Sequence, residues 1–159
     1  MGQEPQTLCP SARPEMEGSV LFGVVAGSRD AGTAFGHAAG LVGYLKEPLA
    51  PTADVLARAE PVGPTAVFRF AAPCAESACA HFDGADCRLA TKVVDLLPPV
   101  VAVLPPCPVR QGCRWWRQEG RAACLRCPAI STATADPSNS LRRAADPAVA
   151  GPRPGAQNR

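Results

Sequence analysis

Seven of the eight cysteines fall between residues 74 and 127, a third of the chain, and the last four read Cys107-x5-Cys113-x10-Cys124-x2-Cys127. A chain that crowds its thiols in this way must cross-link them or give them a common ligand, and either choice dictates which segments become neighbours. The N-terminal stretch MGQEPQTLCPSARPEMEG has no apolar h-region and carries acids, so it does not read as a secretory signal. The longest apolar run, Val93–Leu104, is interrupted by Asp95 and Pro98-Pro99, and no membrane span is expected. The chain therefore reads as cytoplasmic. In a reducing compartment clustered cysteines bind metal or do redox chemistry more often than they form disulfides. A disulfide-stapled secreted domain, the competing reading, needs an export route that this N-terminus does not provide.

The distal four cysteines carry the stronger signal. Two residues between Cys124 and Cys127 let both sulfurs turn toward one metal or cluster, and Cys113 and Cys107 complete a set of four thiolates. Four thiolates suit a tetrahedral zinc or an iron–sulfur core. Either centre leaves a net charge of about −2, and Arg110, Arg114, Arg117, Arg121 and Arg126 face one acid, Glu119, in this segment. Trp115 and Trp116 suggest a water-excluding wall around the site. They equally suit the role of main hydrophobic anchors in a chain with only 5% aromatics.

The run Cys113-Arg114-Trp115-Trp116-Arg117-x2-Gly120, followed by Cys124-x2-Cys127, resembles the C-terminal motif of ferric siderophore reductases, which bind a [2Fe–2S] cluster. The likeness covers about fifteen residues of the 159. That family begins its motif with two adjacent cysteines, whereas Gly112 precedes Cys113 here and Cys107 stands in from six residues away. The remainder of the chain does not look like that family and is too short for its siderophore-binding part. More loosely, the stretch from RFAAPC to ACLRCP is similar to small cysteine-rich bacterial proteins of uncharacterised function. The resemblance implies an iron–sulfur centre held by Cys107, Cys113, Cys124 and Cys127.

A proximal group, Cys74-x4-Cys79-x-His81-x5-Cys87, suggests a second site of three thiolates and an imidazole, with Cys9 as the alternative fourth ligand. With Cys9 included, eight thiols divide evenly into two sites of four. Cys87 is expected at a helix N-terminus, where its pKa would be depressed. His81 alone would be read as a surface or capping residue; its place between cysteines makes it a candidate ligand. His37 lies in a Gly/Ala-rich loop and has no evident partner.

The fold expected is α+β: a small sheet with one or two helices, followed by a cysteine-rich metal-binding half and a disordered tail. Residues 1–17 read as flexible, 18–134 as one domain, and 135–159 as a polar, proline-rich tail unable to offset its ordering entropy. Val20–Val25, Leu41–Leu45 and Thr65–Phe70 are strand candidates, and Ala53–Glu60 is a helix capped by Thr52. Cys87–Leu97 is a helix, with Asp86 as its cap, that presents Leu89, Val93, Leu96 and Leu97 to the strands. Gln111–Gln118 is another, closed by Gly120.

The expected function is iron–sulfur binding, with one-electron transfer or redox sensing and a redox protein as partner. The alternative is a zinc-stabilised module whose Arg114, Arg117, Arg121 and Arg126 contact nucleic acid or an acidic protein. No G-x-G-x-x-G, Walker lysine, nucleophile elbow or HExxH is present, so no complete enzyme is legible and no catalytic residue is nominated.

Overall fold

Val20–Val25 forms the strand its β-branched and aromatic residues favour, and three other strands assemble on it. The structure, a computed structural model, describes residues 6–25, 41–130 and 139–149. In chain order these form β1 (Leu8–Ala12), β2 (Val20–Val25), β3 (Val42–Leu49), α1 (Ala53–Ala57), α2 (Pro64–Val67), β4 (Phe68–Pro73), α3 (Arg88–Leu96), α4 (Arg114–Glu119), α5 (Arg121–Cys124) and α6 (Asn139–Ala145). Short 3-10 turns lie at Glu76–Ala78, Arg110–Gly112 and Cys127–Ala129. The fold is α+β. The Gly/Ala-rich connection 26–40 with His37, residues 131–134 at the end of the expected domain, and 135–138 and 150–159 of the expected tail lie outside the described residues.

All pairings in the sheet are antiparallel, and the order is β1-β4-β2-β3. The sheet has one strand more than expected, because Leu8–Ala12, read as flexible, is β1. It takes the free edge of β4 with Leu8 opposite Pro73 and Cys9 opposite Ala72. The register then slips between Cys9 and Ala12, where Pro10 has no N–H to give to the ladder. Pro10 and Ala12 are buried, which a polar, proline-containing segment did not announce.

Thr52 caps α1 by accepting from the Val55 amide at 3.3 Å. The alternating stretch 65–70 divides in two. Pro64 sits in the first turn of α2, where its missing N–H costs nothing, and extended backbone begins only at Phe68. From there β4 is buried along five of its six residues. Phe68, Phe70 and Ala72 pack with Leu21, Ala12 and Ala59 beneath α1. The opposite face sets Phe22 and Ala71 against Val109 and Cys107 from the second half of the chain. The sheet is thus covered on both sides.

The apolar face of α3 does not meet the strands as expected. Ala90 and Val93 pack with Cys113, Trp115, Ala123 and Ala144, so the helix closes a second core built from α4, α5 and α6. Its N-cap position is Cys87 rather than Asp86. Nor is the C-terminal part wholly tail: α6 docks on α3 through Ala144, 1% exposed. The Lys92 ammonium, itself buried, donates to the Asp146 carbonyl at 2.6 Å and extends that contact.

Candidate functional site

The eight cysteines part into two sets of four, each lining one cavity. Cys9, Cys74, Cys79 and Cys87 line a cavity of about 730 Å³, together with His81, Arg114 and Trp115. Cys107, Cys113, Cys124 and Cys127 line a second of about 20 Å³ with Pro10, Tyr44 and again Trp115. No disulfide links any of the eight. As the side chains stand, no three His, Cys, Asp or Glu among the described residues converge closely enough to grip a metal ion.

Different elements deliver each thiol. β1 carries Cys9, the end of β4 leads to Cys74, and a 3-10 turn ends at Cys79, whose amide donates to the Glu76 carbonyl at 2.8 Å. Cys87 begins α3, and its backbone is held on both sides by the Gln118 side chain, which accepts from Cys87 N and donates to Cys87 O, each at 2.8 Å. In the distal set Cys107 follows Pro105-Pro106, Cys113 opens α4, Cys124 ends α5 and Cys127 opens the last 3-10 turn. Gly120, at φ 64°, permits the sharp break between α4 and α5 that turns Cys124 back toward Cys113.

Backbone amides point at the sulfurs in a repeating pattern. Ser11 N–H approaches Cys9, Leu89 and Ala90 approach Cys87, Val109 approaches Cys107, and Trp115 and Trp116 approach Cys113. These are donors two and three residues ahead, the arrangement that solvates an anionic sulfur without water. Burial still dominates the free thiols. It pushes Cys9 and Cys107 up to about 11 and Cys113 to about 12, and raises Cys87 and Cys124 as well. The expected depression of Cys87 is therefore reversed, because two amides at the start of α3 do not make up for lost hydration. His81 is pushed down, chiefly by burial and then by Lys92 and Arg88, and its buried Nδ1 has no hydrogen-bond partner.

Cations reach both sets. Arg114 Nε donates to Cys74 Sγ at 3.2 Å while its Nη2 pairs with Glu76 at 3.1 Å. Arg110, stacked on Trp116 at 5.5 Å, lies beside Cys124 and opposes the effect of burial there. Arg117, Arg121 and Arg126 instead donate to main-chain carbonyls of Gln111, Ala102 and Leu97.

Sequence reasoning missed three residues. Arg69 is wholly buried, donating to the carbonyls of Pro10, Ile130 and Cys127 at 2.6, 2.6 and 3.0 Å and reaching Cys127 Sγ at 3.6 Å. Tyr44 lies against Cys127, and burial followed by that sulfur pushes its hydroxyl far up. Gln118 fixes Cys87 as described above. An arginine alternating with Phe68 and Phe70 in a strand was the available signal for Arg69; Tyr44 and Gln118 offered none.

Gly112 has a steric reason. A Cβ there would stand 3.1 Å from the Gln6 carbonyl and 3.4 Å from Leu8 Cδ1, so the chain leading into β1 packs tightly against this position and would have to shift by a few tenths of an ångström to admit a side chain. Cys107, six residues earlier, lines the cavity with the other three distal thiols. Among the described residues no helix is long and apolar enough to cross a membrane. No known protein family, curated protein or solved structure matches the chain.

Proposed function

We propose that the protein binds two iron–sulfur centres and serves in one-electron transfer or redox sensing with a protein redox partner. The observation that carries this reading is the even partition of eight thiols around two cavities, with amides and guanidinium groups directed at the sulfurs. Cys107, Cys113, Cys124 and Cys127 would hold the distal centre, and Cys74, Cys79, Cys87 and Cys9 the proximal one, where His81 is the alternative fourth ligand. The residues fit a thiolate-ligated group in chemistry: soft donors, neutralising cations and a wall that excludes water. Their sulfurs surround the cavities rather than meeting at a point, and binding itself would draw them together, as is usual where metal affinity supplies organising free energy. A bound iron–sulfur core supplies reversible one-electron chemistry. The chain's own part is to hold the thiols, donate N–H groups to them and keep water from Cys113 and Cys87, both buried.

A zinc-stabilised module contacting nucleic acid or an acidic protein is the weaker reading. Of the four arginines that would form its contact face, Arg114 bonds Cys74 and Glu76, and Arg117, Arg121 and Arg126 bond the protein's own carbonyls.

Anaerobic purification with a visible spectrum and metal analysis of one sample tests the assignment. Iron with acid-labile sulfide and a thiolate-to-iron absorbance band supports it. Zinc in a colourless sample replaces it with the structural module, and fully oxidised thiols without metal overturn both.

A further inference from the structure

The two thiol sets share a wall. Cys113 lines the distal cavity, the next residue, Arg114, donates to Cys74 Sγ at 3.2 Å in the proximal set, and Trp115 lines both cavities. Consecutive Cα atoms stand about 3.8 Å apart, so this tripeptide passes from one site to the other in a single residue step. β1 repeats the arrangement on the other side: Cys9 belongs to the proximal cavity and Pro10 to the distal one. A parallel bridge between Leu8 and Cys113 ties the two crossings together. Trp115 is 2% exposed, and its buried indole N–H has no hydrogen-bond partner. The wall between the sets is therefore formed in part by a buried indole, closed to bulk solvent.

We propose that Cys113–Arg114–Trp115 couples the two sets, so that a change of charge at either is felt at the other. The proposal rests on the two-centre reading above. Arg114 acts as a positioning residue: its guanidinium stabilises negative charge on Cys74 Sγ, and its backbone is fixed by the neighbouring distal ligand. Added negative charge on the proximal sulfurs pulls on Arg114 and hence on the start of α4, where Cys113 sits. Coupling of this kind is reciprocal by thermodynamic necessity.

The test uses the full chain, loaded with iron and sulfide without oxygen and read by electron paramagnetic resonance during a redox titration. Expected is an interacting spectrum in the reduced wild-type protein that resolves into a single uncoupled signal in Cys74→Ser and in Cys124→Ser. Arg114→Gln, at unchanged iron content, should change the oxidised-to-reduced ratio of the proximal signal at fixed potential by about tenfold, toward the oxidised form, as loss of one charge-assisted bond implies. The distal signal should move the same way by less, and Arg114→Lys should recover part of both. Two independent wild-type signals, or a shift confined to one of them, overturn the coupling and leave two centres standing. No iron, or iron at one site only, overturns the two-centre reading and the coupling with it. Should Arg114→Gln lose iron, the wild-type and cysteine-variant spectra still decide.

Discussion

Arg69 holds a full positive charge at 0% exposure, and three main-chain carbonyls, the Phe22 ring at 5.3 Å and a distal sulfur surround it. Its environment explains why the charge is tolerated. Burial alone would favour deprotonation, but the adjacent Cys127 sulfur favours the cation more strongly, and the guanidinium is held above its ordinary pKa. The same bonds tie three segments together: Pro10 of β1, the 3-10 turn at Cys127 and the chain beyond it at Ile130. Arg69→Met keeps most of the volume but leaves those carbonyls without donors, each at about 1–3 kcal/mol. The expected loss is about 3 kcal/mol or more in urea-induced unfolding, since three buried carbonyls lose their donor. A loss below about 1 kcal/mol would mean that the carbonyls find water and that Arg69 is not the joint between sheet and cysteine-rich half.

Among the elements, α6 shows how a short helix acquires stability from its tertiary contacts. It has seven residues, too few to be helical in isolation, and Ala144 is its one buried residue. Lys92 grips the carbonyl of Asp146 just past its end, and Arg88 reaches the Pro147 carbonyl at 3.2 Å. Ala144→Glu places a charge in the α3 interface and should release α6. Limited proteolysis would then cut within 139–149, while thermal unfolding of the remaining core shifts only modestly. Unchanged resistance to cleavage would show that α6 is held by other contacts. The sequence was silent on α6 because Leu141 is isolated and alanine carries no periodic signal. It was also silent on β1, where Pro10 hides a strand that exists only because the β4 edge is there to pair with. By contrast β2, α1 with its Thr52 cap, and the break at Gly120 were legible, since each follows from local side-chain chemistry. The partition of the cysteines was half legible. Spacing named the distal four and the even division of eight thiols proposed Cys9 for the proximal set, but His81 competed with it there, and β1, the strand that carries Cys9 to that cavity, was not read from the sequence.

For the molecule as a whole, eight thiols inside a small fold make stability depend on pH in a way that reports whether metal is bound. Without metal, Cys9 and Cys107 at about 11 and Cys113 at about 12 stay protonated in the folded state above the ordinary value of 9.0, whereas the unfolded chain releases those protons. The folded state then binds more protons than the unfolded one between about pH 9 and pH 12. Stability present below pH 9 is lost as the pH rises, by up to about 1.4 kcal/mol per pH unit for each such thiol. A metal or cluster reverses the dependence: the thiolates are deprotonated when ligated, so acid competes for them and alkali does not. The expectation is a chelator-treated, reduced protein whose denaturation midpoint falls above pH 9, beside a loaded protein whose midpoint holds there and falls on acidification. Parallel curves for the two preparations would show that the buried thiols do not ligate anything, and the two cavities would then be no more than gaps between the sheet and its helices.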